Sequence, residues 1–255
     1  MIYELVFSAT GRTENVLDIF SARWNGEKIR INLSDVNFDR GKYNFTASDV
    51  VIAASSVYEG RLPAPVSERL GRLKGNGAKA VLITVFGNRA IDDALIEMKN
   101  VMTEAGFVAV AGVEASVQHS IMPQVAPTRP DADDKNELQE FAQKVQEILE
   151  SKAEFGPLTV PGNFPYKKLG GLPIKPKADR KCTACGLCAE KCPVGAIPKD
   201  NPKITDKEKC INCMRCTEIC PADARDFSPL LINAVHMVLK SRVTGRKPNK
   251  LYIAE

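Results

Sequence analysis

The sequence predicts an α/β protein: a doubly wound parallel sheet followed by a small cysteine-rich module. Three observations carry this. Residues 1–150 alternate apolar, strand-like runs with amphipathic helical patterns. A stretch with five prolines and four glycines, residues 155–177, then breaks the pattern. All eight cysteines lie between Cys182 and Cys220, and the first 181 residues contain none.

The strands are expected at 2–7, 28–33, 50–56, 80–86 and 107–115. Three are near-continuous apolar runs, as parallel strands covered on both faces require. Helices are expected at 13–23, 65–74, 89–104 and 133–151. The last places Leu138, Phe141, Val145, Ile148 and Leu149 on one stripe, with acids at its start where the helix dipole favours them. The run 230–239, "LLINAVHMVL", is too short for the roughly 18 residues of a membrane span and reads as a docked helix. Trp24 reads as packing, His236 as structural and "KGNG" (74–77) as a helix exit with its turn.

Composition narrows the function classes. A net charge of +4 is too small to imply nucleic acid. The start "MIYELVF" lacks a basic region and a cleavage site, so no signal peptide is expected. Dense cysteines in such a chain argue for metal in a reducing, cytoplasmic setting rather than for disulfides. Between Phe227 and Ala254 the tail holds five Lys/Arg and no acid. This tail and Lys167, Lys168, Lys175, Lys177, Arg180 and Lys181 read as a solvated face, or as a surface that steers an acidic redox partner.

The cysteines form an internal repeat. Residues 179–197 align with 207–225 at an offset of 28, and each copy reads C-x2-C-x2-C-x3-C-P. Zinc is the alternative for CxxC spacing, but a tetrahedral ion has no use for a third evenly spaced cysteine followed by CP. The repeat resembles the bacterial ferredoxins that carry two [4Fe–4S] clusters. That resemblance implies one cluster on Cys182, Cys185, Cys188 and Cys220, and a second on Cys210, Cys213, Cys216 and Cys192.

The first strand runs into "SATGRT" (8–13) just before a helix. Hydroxyls, a glycine and a helix start together make an anion site. No GK[ST] follows and no G-x-G-x-x-G is present. An ordinary capped helix is the bland reading. The loop resembles the phosphate loop of flavodoxins, with Arg12 where that pattern usually has Asn. "SSVYEGRLP" (55–63) and "VFGNRAIDDAL" (85–95) fall after the third and fourth strands, where open α/β sheets bind ligands.

Together these stretches, Gln118-His119-Ser120, the "PGNFPYK" linker and both repeats resemble bacterial and archaeal fusions of a flavodoxin-like domain with a two-cluster ferredoxin. The resemblance implies a five-stranded parallel flavodoxin-like sheet and FMN as a further cofactor. Ser8, Thr10, Gly11, Arg12 and Thr13 would hold the phosphate. Ser55, Ser56, Val57, Tyr58, Glu59 and Gly60 would flank one side of the ring, with Tyr58 stacking, and Phe86, Gly87, Asn88 and Arg89 the other. Ser56 and Glu59 stand where the family pattern has Pro and Gly. His119 is the one catalytic candidate.

The domains expected are 1–154, flavodoxin-like; 155–177, linker; 178–227, ferredoxin; and 228–255, a basic helix and tail. The function expected is electron transfer between FMN, two [4Fe–4S] clusters and an external redox protein: a ferredoxin, flavoprotein or oxidoreductase. Alternatives are a flavin-free domain that serves for docking or homodimer formation, and a redox subunit of a larger oxidoreductase. Nothing resembles a nicotinamide fingerprint.

Overall fold

The computed structural model describes residues 1–151, 154–171 and 174–255. In chain order its first part comprises β1 (Ile2–Phe7), α1 (Arg12–Ser21), β2 (Lys28–Asn32), β3 (Val50–Ser56), α2 (Ala64–Gly71), β4 (Lys79–Phe86), α3 (Ala94–Glu104), β5 (Val108–Ser116) and α4 (Ala132–Ser151). There follow β6 (Lys177–Ala178), α5 (Leu187–Glu190), α6 (Arg215–Glu218), β7 (Arg225–Asp226), α7 (Pro229–Val243) and β8 (Lys250–Ile253).

The large sheet has the order β2-β1-β3-β4-β5-β8, and its first five strands are parallel. The period of two along each strand feeds two cores. Leu5, Phe7, Val51, Ala53 and Leu82 face α2 and α3, meeting Val66, Leu70, Leu95 and Met98. Val6, Ile52, Ala54, Val81 and Ile83 face α1 and α4, meeting Val16, Leu17, Phe20, Leu138 and Val145. Both faces are covered, which is why the strands read as continuous apolar runs. Strand order reverses direction about β1, so the crevice for a ligand opens at the C-terminal ends of β1 and β3.

Two expectations are corrected. The sheet has six strands rather than five: β8 emerges from the tail and pairs antiparallel with β5, Ala111 opposite Ile253 and Glu114 opposite Lys250. Tyr252 fixes it by donating to the buried Glu114 carboxylate at 2.5 Å. Four residues are too short to announce a strand, yet they cover an edge that would otherwise stay open. The third helix starts at Ala94 rather than near 89, because Asn88 (φ 58) and Asp92 (φ 42) are left-handed and hold the segment as a loop.

The tail is locked at a buried ion pair. Arg129 donates to both oxygens of Asp134 at 2.9 and 2.5 Å and to the Lys247 carbonyl at 2.5 Å. Asn249 joins them, donating to Asp134 and accepting from the Ser116 N–H. Burial pushes the Asp134 carboxyl up, and these donors, Arg129 foremost, outweigh it and hold it below its usual range. Asn88 donates to the carbonyls of Val243 and Gly245, so the exit of α7 is tied to the β4–α3 loop.

In the second module β6 pairs antiparallel with β7. The sequence repeat is a conformational repeat at the same offset of 28. Ala184 (φ 57) matches Asn212 (φ 54), and Gly186 (φ 80) matches Met214 (φ 64). The N–H of Ala196 donates to the Cys192 sulfur at 3.2 Å, as that of Ala224 does to the Cys220 sulfur at 3.3 Å.

The connecting segment lies on the α/β domain. The buried Asp93 carboxylate accepts from the N–H groups of Asn163 and Lys167 at 2.9 and 2.7 Å. Glu59 accepts from those of Gly170 and Gly171, both at 3.0 Å. Leu158 is buried and Phe155 and Val160 pack on the core, while Phe164 stays 76% exposed. Residues 172 and 173 of the expected linker, and 152 and 153 before it, lie outside the described residues.

Arg129→Ala is expected to destabilise the α/β domain by about 3–5 kcal/mol, because it strands a buried carboxylate. Arg246→Ala, which removes a partly exposed partner of Asp131 and Asp134, should cost far less. Urea midpoints followed by circular dichroism check the contrast.

Candidate functional site

The strand ends open into a cleft of about 1000 Å³, part of it open to solvent. Four loops of the α/β domain wall it. The first follows β1. Gly11 (φ 76) takes the left-handed turn that starts α1, which a side chain would strain. Ser8 braces this loop from below, accepting from the Glu14 N–H at 3.1 Å and donating its own N–H to Ser34 at 3.0 Å. Thr10, Arg12 and Thr13 line the cavity. Thr13 and Ser56 hydroxyls pair at 2.9 Å, and Thr10 reaches Ser120 at 3.4 Å. Arg12 donates to Gln118 at 2.8 Å and pairs with Glu218 at 3.5 Å.

The second loop follows β3. Tyr58 and Arg61 exchange both backbone hydrogen bonds at 3.0 Å, with Glu59 (φ 53) and Gly60 (φ 83) between them. Two positive φ values in a two-residue turn mark type I′. Ser56, Val57, Tyr58 and Glu59 line the cavity. Burial, aided by the neighbouring Cys213 thiol, pushes the Tyr58 hydroxyl well above its usual range.

The third and fourth loops meet at Gly87. A Cβ there would sit 2.8 Å from the His119 ring, so only glycine lets the ring pack against β4. His119 Nδ1 accepts from the N–H groups of Ile121 and Met122 at 3.1 and 3.2 Å. That fixes the tautomer: the ring proton is on Nε2. Burial, then the guanidinium groups of Arg89 and Arg12, push the imidazole down to about 4. His119 is a neutral donor rather than a proton shuttle at neutral pH.

Of the residues anticipated at this site, nine line the cavity: Thr10, Arg12, Thr13, Ser56, Val57, Tyr58, Glu59, Gly87 and Arg89. His119 joins them. Ser8, Gly11, Ser55, Gly60, Phe86 and Asn88 do not. They shape the loops or, in the case of Asn88, hold the tail. The sequence reading missed Ile211 and Asn212 of the cysteine module and Val235 and Leu239 of α7, which also line it. Their positions depend on how the two modules pack, and no local pattern reports that.

The cysteines border two smaller cavities. Cys182, Cys185, Cys188 and Cys220 line one of about 380 Å³; Cys192, Cys210, Cys213 and Cys216 line one of about 340 Å³. Each takes three sulfurs from one repeat and one from the other. Burial pushes Cys213 up to about 12 and Cys216 up to about 11, and neighbouring thiols add to both. Sulfurs that burial holds as thiols suit a group that brings positive charge and ionises them outright.

The strand order 2-1-3-4-5, with the cavity at the switch point, is that of flavodoxins. Residues 174–225 match the family described as "4Fe-4S dicluster domain". The chain joins an α/β domain with the flavodoxin strand order to a segment that matches the 4Fe–4S dicluster model. Among solved structures the flavodoxin-like part is similar to a flavodoxin of Streptococcus pneumoniae TIGR4 (19% identity, 58% of this chain and 99% of that one, TM-score 0.42). It is likewise similar to flavodoxin 2 of Bacillus cereus (16%, 57% and 97%, TM-score 0.41). Rubredoxin oxygen:oxidoreductase of Desulfovibrio gigas also matches (14%, 59% and 36%, TM-score 0.39). No curated protein matches the sequence significantly.

The His119 ring is expected to stay neutral from pH 8 down to 5, with the proton on Nε2, in a nitrogen-15 NMR titration. Its folded value lies below the unfolded 6.5, so the unfolded chain takes up the proton first, and stability should fall as pH drops from about 6.5 to about 4. Protonation with a midpoint near 6.5 would contradict this.

Proposed function

We propose that the chain is an electron-transfer flavo-iron–sulfur protein that holds FMN in the large cavity and a [4Fe–4S] cluster in each cysteine-lined one. The observation that carries this is the sulfur partition: each small cavity takes three cysteines of one repeat and the fourth of the other. That is the ligand crossing of two-cluster ferredoxins. Zinc is disfavoured, since a tetrahedral ion has no use for the third evenly spaced cysteine that each repeat supplies before its CP.

Bound FMN supplies chemistry that links two-electron and one-electron transfer. The chain's part is to hold it. Thr10, Arg12 and Thr13 stand at the start of α1, where first-turn N–H groups and the helix dipole favour a phosphate. Tyr58 offers a ring face, and His119 offers a neutral N–H. Ser56 and Glu59 do not close the site: Ser56 bonds Thr13, and Glu59 turns to Gly170 and Gly171. The N–H groups of Ala196 and Ala224 donate to the sulfurs that each repeat lends to the other. Such bonds tune a cluster.

The domain limits we adopt are 1–154, 155–177, 178–227 and 228–255. The partner is a redox protein, and the setting a reducing cytoplasm. No helix among the described residues is long and apolar enough to cross a membrane.

Protein purified without oxygen should carry about eight iron and eight sulfide per chain, four per cubane, and one FMN. Cys220→Ala should lose the cluster of Cys182, Cys185 and Cys188 first. Thr10→Glu should abolish FMN binding with iron retained, and riboflavin should bind far more weakly than FMN. Four iron, stoichiometric zinc, or equal affinity for riboflavin and FMN would defeat the reading.

A further inference from the structure

The α/β domain does not build the large cavity alone. Ile211 and Asn212 lie between Cys210 and Cys213 and reach its lining from the second module. Ile211 packs on the apolar cluster that contains Phe7 and Leu62. Asn212 is left-handed (φ 54), so the loop bends back on itself at the cavity wall. Arg215, just beyond, donates to the carbonyls of Ser8 and Ala9 at 3.4 and 3.2 Å and so sets this loop against the β1–α1 turn. The same two residues that separate a pair of cysteines therefore wall the space facing Tyr58.

Building on the FMN reading above, we propose that Ile211 and Asn212 are flavin-binding residues, and that the cysteine loop completes the flavin site across the domain boundary. Two residues between two cysteines have no helix or sheet of their own to hold them. Ligation of Cys210 and Cys213 fixes both ends, and metal binding then supplies the loop's order. FMN affinity thus depends on the metal-bound state of that loop. By linkage, FMN raises the affinity for the metal by the same factor.

The test titrates flavin-free, full-length protein with FMN under anaerobic conditions, read by quenching of flavin fluorescence, with iron assayed on the same samples. Ile211→Ala with Asn212→Ala should weaken FMN by about tenfold or more while iron stays at the wild-type level. Wild-type protein stripped of iron by a chelator should show a loss at least as large, a readout that does not depend on how the variants fold. Affinity within twofold of wild type in the iron-replete double variant, or unchanged affinity in the stripped protein, overturns the inference while leaving the FMN reading intact. Wild-type protein that binds no FMN overturns both.

Discussion

One buried carboxylate sets the relation between the two halves of the molecule. Asp93 lies at the start of α3, 2% exposed, and accepts backbone N–H groups from Asn163 and Lys167. Burial pushes its carboxyl up, but these bonds outweigh the penalty and hold it below the usual range. Next to it, Arg61 pairs with the buried Glu97 at 2.6 Å and donates to the Lys167 carbonyl. These anchors hold the segment from Asn163 to Gly171 on the α/β domain. Arg69 then donates to the Pro193 carbonyl at 2.9 Å, and Arg215 to Ser8 and Ala9, so the module sits at the strand ends rather than on a loose tether.

Two residues that depart from the flavodoxin pattern each have a partner in the structure. A glycine at 59 would satisfy the type I′ turn with less strain than Glu59 at φ 53. Glu59 instead gives its carboxylate to the linker. Ser56 gives up the stiffness of a proline for a hydroxyl that meets Thr13. Both side chains couple a cavity loop to a neighbouring segment, Ser56 to α1 within the α/β domain and Glu59 to the linker beyond it. A free-standing domain would keep the first partner and lose the second. α7 adds a wall: Val235 and Leu239 face the cavity, while Leu230 and Val238 remain exposed at 83% and 79%.

Much of this was legible in the sequence, for definite reasons. Strands buried on both faces leave near-continuous apolar runs, which marked three of the five parallel strands, while the edge strand β2, Lys28–Asn32, showed as an alternation. A repeat at an offset of 28 showed the cysteine spacing, and the structure adds matching left-handed positions at 184 and 212. What stayed hidden depends on distant packing. β8 is four residues long, and only the open edge of β5 makes it a strand. The segment from 89 to 93 has helical spacing, but buried Asn88 reaching Val243 and Gly245 holds its start as a loop. Ile211 and Asn212 look like spacer between two cysteines until the modules are brought together.

The central claim is that one rigid chain places the flavin site and the cysteine module in contact, so that electrons pass within a single molecule. Anaerobic rapid mixing tests it most directly: the clusters are reduced by a one-electron donor and the flavin absorbance is followed at several protein concentrations. The account predicts flavin reduction at a rate that does not change with protein concentration. A rate that rises in proportion to concentration would contradict it, because the electrons would then be passing between molecules.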